Sequence, residues 1–194
     1  FDIYYLTDQN IEFKTFKNDT NKINKVIFAL NNMPDITYSL LFKDNKQVYG
    51  NLFTITLKIK NKQIIDLQHN INDINQIISS DVRYIFIRTN IIDITQNIIQ
   101  HVNCIILDTK SKYILFFDPK IEFQYDVEEF ASLFLDIINI NYPYDIYFPK
   151  NIGYDNSNTL QKYDAFCQTY IFLVFMLIVS NNDVDIKDYS KMFN

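Results

Sequence analysis

His101–Asp118, HVNCIILDTKSKYILFFD, is the stretch that decides the fold. Two apolar runs, His101–Asp108 and Lys112–Phe117, flank a Thr-Lys-Ser turn, and that sequence of run, break and run predicts a hairpin. Upstream of it, Arg83–Arg88 (RYIFIR) predicts a strand followed by a polar connection. Downstream, Asp126–Ile138 (DVEEFASLFLDII) has acids in its first turn and apolar residues at helical spacing, which predicts a helix. Asp145–Phe148 predicts a brief strand, and Pro149–Thr159, polar and holding Gly153, a loop. The apolar stretch CQTYIFLVFMLIV predicts a helix over about Phe166–Val179, started by Cys167, and a short helix follows near Asp183–Met192.

The N-terminal part is less regular. Asn21–Asn31 (NKINKVIFALN) has helical spacing, with Pro34 ending it. From Thr37 to Leu67 short apolar runs alternate with polar turns; LFTITLKIK has the alternation of a strand, with turns at Asp44-Asn45 and Asn61-Lys62. Asn70–Ser79 (NINDINQIIS) predicts a short amphipathic helix. Together these elements predict an α+β domain, a small mixed or antiparallel sheet with flanking helices. No linker rich in Pro, Gly or Ser divides the chain, and no internal repeat is visible.

At 194 residues, 48% of them hydrophobic and including 14 Tyr and 17 Phe, the chain can bury a substantial core. A net charge of −5 without a basic stripe argues against nucleic acid as a partner. Cys104 and Cys167 make no disulfide framework, so a reducing intracellular compartment (cytoplasm, nucleus or virion) is expected. Ala165–Val179 is apolar but is broken by Gln168 and Thr169 and falls short of the about 20 residues a membrane span needs. A buried helix and no membrane span are expected. No His, Cys and carboxylate cluster has zinc-ligand spacing, and Gly50 and Gly153 stand alone, so neither metal nor phosphate-bound cofactor is expected.

Four residues stand in order along the chain: His101, Asp118, Gln161 and Cys167. Asp118 follows His101 by 17 positions, and Gln161 precedes Cys167 by six. A thiol nucleophile, a base, an acid that orients the base and an amide donor are the parts of a cysteine acyl-transfer site. Each residue singly has an ordinary explanation. Cys167 fits a small core residue, His101 a surface residue at the start of a strand, and Asp118 a turn former before Pro119. Gln161 is one amide in a chain rich in them. Cys104, mid-strand between apolar neighbours, reads as core, and His69 in its polar turn reads as solvated.

The joint pattern, HVNCIILDTKSKYILFFDP with QKYDAFCQTYIFLVF, resembles the ubiquitin-like-protein (SUMO-type, adenain-like) cysteine proteases, and its style is closest to members from giant and large DNA viruses. The likeness spans about residues 82 to 180. It implies a papain-like core with the Cys heading a buried helix, residues 81–194 as the catalytic core and residues 1–80 as an accessory part of the same domain. It also implies Cys167 as nucleophile, His101 as base, Asp118 as orienter and Gln161 as oxyanion donor. The substrate would be a protein, either a viral precursor or a conjugate of a ubiquitin-like modifier. Val102 stands where many members have Trp, and Phe166-Cys167-Gln168 where many have Asp-Cys-Gly; both departures bear on selectivity and neither removes a catalytic group. The competing expectation is a binding module that keeps the fold without catalysis.

Overall fold

The computed structural model describes residues 3–7, 34–95, 98–119, 123–140, 143–150 and 167–188. In chain order its elements are β1 (Ile3–Thr7), α1 (Pro34–Phe42), β2 (Phe53–Lys60), β3 (Gln63–His69), α2 (Ile74–Ile78), β4 (Tyr84–Asp93), β5 (Ile98–Asp108), β6 (Tyr113–Phe117), α3 (Val127–Ile138), β7 (Asp145–Lys150) and α4 (Cys167–Ser180). The described strands form one mixed sheet of seven in the order β1-β7-β6-β5-β4-β2-β3. It is wider than the sequence predicts because β1, β2 and β3, all from residues 3–69, join the strands of the second half.

The period of two in LFTITLKIK is seen directly: Phe53, Ile55, Leu57 and Ile59 are buried while the intervening Thr54, Thr56 and Lys58 are half-buried. Asn61 and Lys62 close the β2–β3 hairpin with φ of 52° and 66°. Two left-handed residues are what a two-residue turn needs to match the strand twist. His69 ends β3 as an exposed residue and is not in a turn, since it pairs with Ile55.

Three strands run longer than the sequence suggests. Residues Thr89–Asp93, expected as a polar connection, continue β4, because β4 is central and is paired by β2 on one side and by β5 on the other. β5 starts at Ile98, so His101 is its fourth residue and not its first. β7 likewise extends two residues past Phe148, held by parallel pairing to β1. Pro34, expected to end a helix, opens α1 instead, a position where its missing N–H costs nothing. The helix expected over Asn21–Asn31 and most of the loop over Pro149–Thr159 lie outside the described residues.

The sheet carries helices on both faces. Tyr38 and Phe42 of α1 and Phe172 and Phe175 of α4 pack with Phe86 on one side. On the other, Phe130 and Phe134 of α3 meet Phe116 edge-on, with Ile74 of α2 in the same cluster. Losing one such ring to Ala costs about 3–5 kcal/mol. α3 begins where expected: the Asp126 carboxylate accepts from the Glu128 and Glu129 N–H groups, and Asn139 closes the helix at φ 40°. Among the described residues no helix is long and apolar enough to cross a membrane.

Candidate active site

The 17-residue spacing of His101 and Asp118 is a consequence of hairpin register. The β5–β6 ladder pairs Asp108 with Tyr113 and ends at Cys104 opposite Phe117. One step further, Asp118 comes level with Asn103, and His101 lies two residues along on the same side, a diagonal neighbour. Pro119 has no N–H to extend the ladder. On the other edge of β5, Ile91 pairs with His101 but Ile92 pairs with Ile99, so Gln100 is an extra residue. Such a bulge re-aims the side chains beside it.

Nε2 of His101 lies 2.5 Å from Oδ1 of Asp118, and both side chains are fully buried. Burial disfavours the charged ring, but the Asp118 carboxylate and then the Cys167 thiol outweigh it, raising His101 to about 9. At neutral pH the ring therefore holds both protons, and its Nε2–H donates to Asp118. Nδ1 is the nitrogen left for the thiol. It is buried without a hydrogen bond of strict geometry, yet the ring and Cys167 are close enough to shift one another. Unliganded sites often hold such contacts loosely.

Cys167, in α4 and half-buried, packs against the core cluster that contains Val102 and Cys104. Burial pushes its thiol up, but His101 and the backbone N–H groups of Val102 and Gln168 more than reverse this, so it lies below the ordinary value. Cys104 is fully buried, and burial followed by the Asp118 charge drives its thiol well above the ordinary value. The two cysteines therefore differ in kind, the first suited to nucleophilic chemistry and the second inert.

Sequence reasoning assigned no role to Asn103 or Tyr125. Asn103 Nδ2 donates to Oδ2 of Asp118 at 3.3 Å and to the Tyr125 hydroxyl at 2.5 Å, and all three residues are buried. Oδ1 of Asp118 thus faces His101 and Oδ2 faces Asn103, which fixes the carboxylate plane. The available signal was an Asn inside the otherwise apolar run VNCIIL, two residues after the His. Gln161 lies outside the described residues. His69 is remote in the chain from the group and exposed. Among the described residues no cluster of His, Cys, Asp or Glu has the arrangement to hold a metal ion. No protein-family model, curated protein or solved structure matches the chain.

Proposed function

We propose that the protein is a cysteine peptidase that cleaves peptide or isopeptide bonds in a protein substrate, by processing a precursor or by removing a ubiquitin-like modifier. The observation that carries this is the buried His101–Asp118 pair beside a thiol that ionises more readily than an ordinary cysteine. In this reading Cys167 heads the central helix of a papain-like core, where the positive end of the helix favours a thiolate. No cofactor is needed, and a reducing compartment would keep the thiol active.

The Cys167 thiolate attacks the carbonyl carbon, and the carbonyl oxygen takes the negative charge. The Cys167 backbone N–H and the Gln161 amide hold that oxyanion, and losing one such donor costs about 10²–10³ in rate. The protonated His101 gives its proton to the leaving amine as the C–N bond breaks, leaving a thioester. His101 then takes a proton from water, whose oxygen attacks the thioester; the acid is released and the Cys167 thiolate and protonated ring are restored. Asp118 keeps the imidazole oriented and stabilises its charged form throughout.

Labelling with a thiol-directed, peptide-based electrophile tests this. Cys167→Ala should abolish labelling and Cys104→Ala should leave it intact; labelling that survives Cys167→Ala contradicts the assignment. Gln161→Ala should slow turnover sharply while labelling persists.

A further inference from the structure

Arg88 is a half-buried cation that closes no ion pair among the described residues. It is half-buried on β4, and its Nε is buried with no hydrogen-bond partner. The ion pairs among the described residues are Lys58–Asp66, Arg83–Asp108 and His101–Asp118, and none includes it. Asp35, exposed in the first turn of α1, and the Cys167 thiol act on it electrostatically without closing to an ion pair. A half-buried guanidinium whose Nε has no partner is costly unless something else answers it.

Its place in the fold indicates what that is. In the β4–β5 ladder Arg88 stands opposite Cys104, and Asn90 opposite Val102, whose N–H acts on the Cys167 sulfur. Earlier in β4, Tyr84 and Phe86 occupy the same side and are covered by Phe172 and Phe175 of α4. Toward the Cys167 end of that helix the aromatic cover gives way to Arg88 and Asn90. Asn90 Oδ1 is also buried without a partner, and so is Nε2 of Gln168, the residue after Cys167. Unsatisfied buried polar atoms are uncommon in native proteins. Here two donors, on Arg88 and Gln168, lie by the thiol, and one acceptor, on Asn90, stands on the same side of β4 opposite Val102.

We propose that Arg88 receives a carboxylate of the bound substrate beside Cys167, with the Gln168 amide as a second donor, so that the enzyme selects an acidic side chain next to the scissile bond. This rests on the peptidase reading and names its substrate class. Arginine presents a planar fork that matches a carboxylate, and charge-assisted bonds of this kind are about twice as strong as neutral ones.

The test uses full-length Cys167→Ala protein and a library of amidated peptides carrying Glu, Gln or Lys at each position in turn, read by fluorescence anisotropy. At one position Glu should bind about tenfold more tightly than Gln, a difference worth about 1.4 kcal/mol. The preference should vanish in Arg88→Gln and turn toward Lys in Arg88→Glu. Equal binding of Glu and Gln peptides, or a preference that survives Arg88→Gln, overturns the proposal. Unamidated peptides without Glu form a separate arm, and a gain confined to them assigns the carboxylate to the chain end and overturns the side-chain assignment. Should Arg88→Gln not fold, Arg88→Lys decides: an unchanged preference overturns the proposal, because Lys lacks the fork. Binding is read without the thiol, so a wild-type protein that resists labelling counts against the peptidase reading alone.

Discussion

His101 and Asp118 are separated in sequence by a complete hairpin and meet at 2.5 Å because the β5–β6 register makes them diagonal neighbours. The acid is held twice, by the ring on Oδ1 and by Asn103 on Oδ2. Asp118→Asn keeps the shape and removes the charge that raises the imidazole. It should lower kcat by about 10³–10⁴ and, at neutral pH, also remove the stability that the paired ring contributes, since a neutral amide no longer stabilises the imidazolium. Steady-state kinetics on the variant against wild type measure this.

The His101–Asp118 pair also gives stability a defined pH dependence. The ring is raised from 6.5 to about 9, so its contribution is fully present below pH 6.5 and is lost as the pH rises through about 9. In Cys167→Ala protein, which removes the thiol's share of that raise and leaves that of Asp118, unfolding free energy by urea should still fall as the pH rises above 6.5, and level off at a lower pH than with the thiol present. Further replacement of His101 by Ala should flatten that part of the curve.

Asn103 acts through Asp118 and is a positioning residue. Asn103→Ala frees Oδ2 and leaves the Tyr125 hydroxyl without its donor, at a cost of about 1–3 kcal/mol in stability. A purely structural role would stop there. Positioning predicts in addition a drop in kcat with KM little changed and a lower pKa for His101, which NMR titration of the ring would report.

Arg83 ties three parts of the fold together away from the candidate site. Its guanidinium donates through Nε and Nη2 to Oδ2 of Asp108 and through Nη2 to the Asn182 carbonyl, joining β4, the β5–β6 turn and the chain just after α4. Asp108 is fully buried, and its Oδ1 also receives the Lys110 and Ser111 N–H groups of the turn. Arg83→Ala should destabilise by about 3–5 kcal/mol, because a buried carboxylate loses its counter-charge. Thermal unfolding should show it as a large fall in Tm.

Local patterns in this chain were legible where one side of an element decides its state. The period of two in β2, the acids opening α3 and the Asn61-Lys62 turn are written in consecutive residues, and the structure has each. What depends on partners was not. The polar TNIID segment extends β4 only because strands pair with it on both edges, and Ile98 to Gln100 join β5 only because that extension exists. Of the candidate site, the hairpin context of His101 and Asp118 and the apolar helix after Cys167 were visible. The roles of Arg88 and Asn103 were not, since a cation without an ion pair among the described residues or a shared carboxylate is a property of the packed structure rather than of spacing.

The central claim, that the imidazole at His101 promotes ionisation of the Cys167 thiol, is tested most directly by the pH dependence of alkylation. The rate of iodoacetamide reaction at Cys167, followed in Cys104→Ala protein with and without His101→Ala, isolates that coupling. The account predicts a midpoint below the ordinary thiol value of about 8.5 in the parent, moving upward once the imidazole is removed. A parent midpoint at or above that value, unmoved by His101→Ala, would contradict it.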